Sequence, residues 1–62
     1  MKLKDLKTVW NLYKMVTIYE FRDGVFENLW VGFLDDLTDN TILNKNVKGI
    51  YENRNSLEIE VD

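Results

Sequence analysis

The C-terminal segment Leu57–Val61 alternates strictly between apolar and acidic side chains. Alternation with a period of two is typical of a β-strand that has one face in a core and the other in water. The chain contains no proline, no low-complexity stretch and no internal repeat, so we expect it to be ordered almost end to end. We therefore expect a small sheet protein whose last strand turns its glutamates to water and its apolar residues to the core.

The same kind of pattern predicts the remaining elements. Apolar residues at helical spacing predict a short helix over residues 2–12. One loose helical turn is expected before the third strand, capped by Asp35 or Asp36. The strands are rich in β-branched and aromatic residues. They are predicted at Met15–Phe21, Phe26–Leu34, Val47–Glu52 and Leu57–Val61.

Turn residues join the predicted strands in pairs. Asp23-Gly24 favours a hairpin turn with a slightly long loop, and residues 53–56 form a second turn. Gly32 is expected to mark a bulge or a close approach of another group. The predicted fold is one α+β domain over residues 1–62. It has a short N-terminal helix packed on a four-stranded antiparallel sheet, in which two hairpins are joined by the short helical turn.

Length and composition limit how such a domain is stabilised. A core built from 62 residues rarely supplies more than about 3–5 kcal/mol. The chain has neither cysteine nor histidine, so it forms no disulfide and we expect no structural zinc site. Self-association is the remaining common stabiliser. We therefore expect a homo-oligomer, a dimer or larger.

The residue types also argue against catalysis. No histidine or cysteine is present, and no serine or threonine lies in a nucleophile signature. The glycines form no phosphate-binding pattern. The acidic residues Asp35, Asp36 and Asp39 fit a helix cap and a solvated turn better than a cation site. We expect a non-enzymatic protein that carries no cofactor and no metal.

Charge bears on the choice of partner and compartment. The net charge is −3, and lysines concentrate in residues 1–14 while residues 15–62 are acidic. An acidic surface disfavours nucleic acid, because phosphate contacts need positive charge. We see no leader peptide and no stretch long enough to span a membrane, so we expect a cytoplasmic protein with no membrane partner.

Large apolar residues are expected on both faces of the predicted sheet. A helix of about three turns covers one face only, so aromatic residues on the other face need a different partner. We expect them to form a dimer seam or a surface for a protein partner. The alternative is that strand curvature, a bulge at Gly32 and the segment 37–43 wrap them. The candidate interface residues are Tyr19, Phe21, Trp30 and Tyr51.

A series of short motifs spans nearly the whole chain. They are Lys2–Leu6, Val16–Tyr19, Gly32 with Asp36-Leu37, Val47–Tyr51 and Leu57–Val61. This series resembles that of short, mostly uncharacterised proteins from phages and mobile elements of low-GC Gram-positive bacteria. That group lies near small anti-defence proteins, among them anti-CRISPR-like ones. The resemblance implies a viral accessory role in the cytoplasm of a bacterial host, and it carries no site residues with it.

Three functions remain open from the sequence. The first is a phage-type interaction protein that associates with itself and inhibits a host protein, such as a component of a bacterial defence system. The second is a module for single-stranded nucleic acid similar to the PC4 type, in which aromatic side chains stack on bases. The third is an oligomer that holds a small nucleotide where its subunits meet.

Overall fold

The structure, a computed structural model, describes residues 1–9, 15–54 and 56–62, and for residues 7–9 it describes the backbone alone. Helix α1 begins at Leu3 and ends at Val9. The prediction extended this helix to residue 12, and residues 10–12 lie outside the described ranges. The elements in chain order are α1 (Leu3–Val9), β1 (Met15–Arg22), β2 (Val25–Phe33), a 3-10 turn (Leu34–Asp36), α2 (Asn40–Leu43), β3 (Val47–Glu52) and β4 (Ser56–Val61).

The four strands form one mixed sheet with the order β2-β1-β4-β3. Both hairpins are antiparallel, as the sequence predicted. The two hairpins meet through β1 and β4, which run parallel with Ile18 opposite Ile59. The prediction of a purely antiparallel sheet is therefore wrong, and β4 lies inside the sheet. The edges are β2 and β3.

The turn between β1 and β2 is tighter than predicted. Arg22 pairs with Val25, which leaves Asp23 and Gly24 as a two-residue turn. Both turn residues have positive φ, 54° and 80°. This is the backbone of a type I′ turn, which matches the twist of the flanking strands and suits Asp-Gly. The tight turn extends both strands and pairs Phe21 with Phe26.

The core lies on one side of the sheet, which we call the covered face. The central strands contribute alternate residues, and α1 and the segment after β2 contribute leucines. Leu3 hydrogen-bonds to Lys45 through backbone groups 2.9 Å apart, which fixes the start of α1 beside the loop before β3. The core residues are Leu3, Leu6, Val16, Ile18, Leu34, Leu37, Leu43, Leu57, Ile59 and Val61.

Two irregularities interrupt the edge strands. In β2 the register shifts by one residue opposite Ile18 and Tyr19, which makes Leu29 the extra residue. In β3 a second shift makes Lys48 the extra residue. The predicted bulge at Gly32 is thus found three residues earlier in the chain. Gly32 is instead a site of close approach, because a Cβ there would lie 2.9 Å from the Trp30 indole.

The connection between the hairpins contains two short helical pieces where the sequence predicted one. The 3-10 turn buries Leu34, and α2 begins after Asp39. The Asp39 carboxylate accepts a hydrogen bond of 2.9 Å from the Thr41 backbone N–H, which satisfies a free donor of the first turn. The cap of the helical turn is therefore Asp39, and the prediction of Asp35 or Asp36 is wrong.

The covered face also holds one buried carboxylate. Glu20 follows Val16 and Ile18 on the same side of β1 and is buried at 6% exposure. The Lys45 ammonium lies 2.9 Å from one carboxylate oxygen, and the Arg22 guanidinium binds the other. These contacts, with Lys45 contributing most, lower the pKa of Glu20. The ion cluster ties the end of β1 to the loop before β3.

We expect Ile59→Ala to destabilise the fold far more than Ile50→Ala. The two residues are cross-strand partners, but Ile59 is fully buried while Ile50 is 37% exposed. Truncating a buried isoleucine costs about 2–5 kcal/mol, which is comparable with the whole stability of such a domain. Urea denaturation followed by circular dichroism measures both free energies of unfolding. Equal losses for the two variants would contradict the assigned core.

We expect the free energy of unfolding to fall with acid because of Glu20. A carboxyl group whose pKa is lowered in the folded state stabilises the fold above its unfolded pKa, ordinarily 4.5, and loses that effect as pH falls toward its folded pKa. Glu20→Gln should be less stable at neutral pH and should show a flatter acid dependence. The control is Glu27→Gln, at the exposed cross-strand partner. An unchanged acid dependence in Glu20→Gln would refute the assignment.

Candidate binding face

Among the described residues, most of the exposed aromatic surface lies on the side of the sheet opposite the core, which we call the open face. No described helix lies on it, since the helical leucines all join the core on the other side. Its residues follow from the strand register and from alternation along each strand. They are Met15, Thr17, Tyr19, Phe21, Phe26, Asn28, Val31, Phe33, Gly49, Tyr51, Ser56, Glu58 and Glu60.

The bulge in β2 decides which of its residues reach the open face. Leu29 is the extra residue, and both Leu29 and Trp30 pack against the core. Two consecutive side chains thus point to one side, which resets the alternation along the strand. As a result Phe26 lies on the open face before the bulge, and Val31 and Phe33 lie on it afterwards.

Three aromatic rings form a cluster at the hairpin end of the open face. The Phe26 ring centroid lies 5.5 Å from that of Tyr19, edge to face, and 4.7 Å from that of Phe21 in a tilted arrangement. Such geometries are favourable beyond simple burial. Phe26 nevertheless keeps 65% of its surface exposed and Phe21 keeps 47%. The cluster is ordered by its own contacts and remains available to a partner.

A fourth ring lies on the far edge of the face. Tyr51 of β3 pairs with Glu58 and is 51% exposed. Its hydroxyl lies 2.8 Å from the position that a Cβ at residue 49 would take. Gly49 therefore lets the ring lie flat across its own strand. Any larger residue at that position would push the ring away from the sheet.

Between the rings, β4 contributes two carboxylates to the open face. Glu58 lies opposite Thr17, and Glu60 lies opposite Tyr19. Lys48 approaches Glu60 at 3.7 Å. Partial burial raises the pKa of Tyr19, and the nearby Glu60, Tyr51 and Glu58 raise it further. Glu58 and Glu60 thus place negative charge near the Tyr19 hydroxyl.

The open face also contains a shallow depression of about 220 Å³. It lies where the aromatic cluster meets the carboxylates of β4. One of its lining side chains is charged, two are aromatic rings, and two are neutral and polar. The lining residues are Thr17, Tyr19, Phe26, Asn28 and Glu58.

The structure brings together three of the four predicted interface residues. Tyr19, Phe21 and Tyr51 lie on the open face. Trp30 pairs with Ile18 and packs against the core, so it lies on the other side of the sheet. Phe26 was missed, although its signal was present: a two-residue Asp-Gly turn pairs Phe21 with Phe26 and puts both on one face.

The described ranges contain neither a cluster of metal-binding side chains nor a membrane-spanning helix. Within residues 1–9, 15–54 and 56–62, no three acidic side chains converge in a way that could hold a metal ion. In the same ranges no helix is long and apolar enough to cross a membrane. The described residues instead place aromatic rings beside carboxylates on one exposed face of the sheet.

Comparisons with protein-family models, with curated proteins and with solved structures found no match. Functional inference therefore rests on the chemistry of the open face.

We expect Glu60→Gln to lower the pKa of Tyr19. The removed carboxylate is the largest charge effect on that hydroxyl, while burial, which has the larger influence, remains. The pKa should therefore move toward 10.0 without reaching it. Titration of tyrosine followed by NMR of ring carbons measures the shift. Glu27→Gln, on the opposite side of the sheet, is the control and should leave Tyr19 unchanged. An identical Tyr19 titration in both variants would contradict the described contacts.

Proposed function

We propose that this chain is a non-enzymatic interaction protein that binds a protein partner on the open face of its sheet and thereby blocks that partner. The observation that supports it is the open face itself, where exposed aromatic rings adjoin carboxylates and no described element covers them. Aromatic side chains are the commonest anchors of protein interfaces. A small protein without catalytic groups acts by occupying a surface.

The exposed aromatic area on the open face is large enough to form a substantial part of a protein interface. Phe21, Phe26, Phe33 and Tyr51 each leave about half of their surface in water. Since an aromatic side chain presents roughly 150–250 Å², these four rings leave on the order of 400 Å² exposed. That is about half of the roughly 800 Å² that each partner buries in an interface of standard size. Patches of this size on a monomer commonly serve binding.

The charges favour a protein partner that combines apolar surface with basic residues. The two carboxylates of β4 flank the aromatic cluster on the open face. Two of the described cationic side chains, Arg22 and Lys45, are bound to Glu20 on the other side of the sheet. This distribution argues against the PC4-like alternative, because nucleic acid needs positive charge beside the stacking rings. The depression is smaller than the roughly 300–1,000 Å³ of ligand sites, so the third alternative, a nucleotide held where subunits meet, would need a second copy to complete its site.

Self-association is the second function that an observation favours. Both edge strands carry a bulge, and bulges hinder strand addition at sheet edges. Two copies would therefore pack face to face rather than edge to edge. If β1 and β2 of one copy stack on β2 and β1 of the other, the carboxylates of β4 remain in water at the rim. The proposed target, a host protein in a bacterial defence system, rests on the resemblance of the motifs alone.

We expect Phe26→Ser to weaken binding through the open face and Val25→Ser to leave it intact. The two neighbours are 65% and 63% exposed but point to opposite sides of β2, so the two variants should fold equally well. Loss of an exposed aromatic anchor should weaken self-association at least about tenfold. Light scattering over a concentration series measures it. A second measurement uses the wild type and both variants as baits in a lysate of a low-GC Gram-positive bacterium. We expect a partner protein that binds the wild type and Val25→Ser but not Phe26→Ser.

The opposite results would overturn the proposal. A wild-type chain that stays monomeric at high concentration, together with identical retention of all lysate proteins by the two variants, excludes a binding role for the open face. Equal weakening by both substitutions would place the contact elsewhere on β2.

A further inference from the structure

The depression on the open face has the size of a single side chain. Its volume of about 220 Å³ lies below the roughly 300–1,000 Å³ of sites for whole small ligands. It opens at the junction of the aromatic cluster and the carboxylates of β4. A side chain inserted here would therefore come from a larger molecule docked across the face.

The lining chemistry selects a flat cation. Glu58 is the one charged residue of the lining, and its carboxylate can accept two parallel hydrogen bonds. The rings of Tyr19 and Phe26 offer π-faces to a delocalised cation. Thr17 and Asn28 add oxygen acceptors for the remaining donors. The raised pKa of Tyr19 agrees with a negative potential at this place, since Glu58 and Glu60 contribute to it.

We infer that the depression binds the side chain of an arginine on the partner protein, an inference that rests on the function proposed above. Guanidinium is planar and presents five donors in a fixed fork, so it can bind a carboxylate with two hydrogen bonds while stacking on a ring. Lysine offers a compact, strongly hydrated charge and no planar body to stack. Phosphate and carboxylate groups are repelled by Glu58.

The position of the depression makes this arginine an anchor rather than a rim contact. Phe26 borders the depression on β2 and Glu58 borders it on β4, so it spans β1 at the middle of the sheet. Phe21 and Tyr51 lie farther out on the same face. Apolar contacts around a central charged pair keep water from it and strengthen it. The partner segment is therefore expected to carry arginine between apolar residues.

A short peptide with one arginine flanked by leucine and serine tests the site, and the same peptide with citrulline is the neutral control. NMR spectra of the labelled full chain are recorded during titration with each peptide. Arginine should shift the Asn28 side-chain amide and the Tyr19 ring, and citrulline should bind at least about tenfold more weakly. Glu58→Gln should weaken arginine binding about tenfold, or about 1.4 kcal/mol.

Glu60→Gln is the matched control for the Glu58 variant. It removes the same charge from the same strand and face, two residues away, but from a residue that does not line the depression. It should weaken arginine binding less than about threefold. If self-association hides the site, the titration is repeated in Phe33→Ser, which removes open-face contact without changing the lining.

Several outcomes overturn the inference. They are an absence of shifts at Asn28 and Tyr19 at the highest soluble peptide concentration, equal binding of arginine and citrulline, and equal losses for Glu58→Gln and Glu60→Gln. A failure of arginine to bind in the depression can be distinguished from a failure of the open face to bind any partner. If Phe26→Ser still abolishes self-association or partner retention while arginine does not bind, the open face is a binding surface with a different anchor.

Discussion

The parallel pairing of β1 and β4 is the contact on which the rest of this structure depends. It joins two hairpins that are local in sequence into one sheet, with Ile18 opposite Ile59 at the centre. A parallel pair needs a long crossover between its strands, and here the crossover contains β2, α2 and β3. The leucines of that crossover return to one side of the sheet. The core therefore forms on one face, and the other is left without a described cover.

The sequence predicted the hairpins and the inward faces of the central strands, because both signals are local. Alternation identifies which side of a strand is apolar, and Asp23-Gly24 identifies a turn. Neither signal indicates which strand of one hairpin pairs with which strand of the other. The structure supplies what the sequence lacked. Burial alternates along β1 and β4, as expected for central strands, whereas β2 and β3 are largely exposed.

The error over Trp30 has a specific physical origin. Strict alternation through β2 correctly places Trp30 and Val31 on opposite sides of the sheet. It also places Leu29 opposite Trp30, whereas both side chains pack against the core. A bulge adds one residue to the strand, so every residue on one side of the bulge is assigned to the wrong face of the sheet. A bulge whose extra residue is not glycine has no reliable sequence signature. Large aromatic residues also fit either face. The strand register was needed to separate Trp30 from the exposed rings.

The charged side chains are placed differently on the two faces of the sheet. On the covered face a buried carboxylate is held by two cations, so Glu20 contributes to folding and is not available to a partner. On the open face, Lys48 approaches Glu60. Glu58 lies beside the aromatic rings, and among the described residues no cationic side chain pairs with it. An apolar partner without positive charge would have to strip water from that carboxylate without compensation, which costs free energy. A partner that brings a guanidinium group would offset this cost, so under the proposed binding mode Glu58 would discriminate between partners.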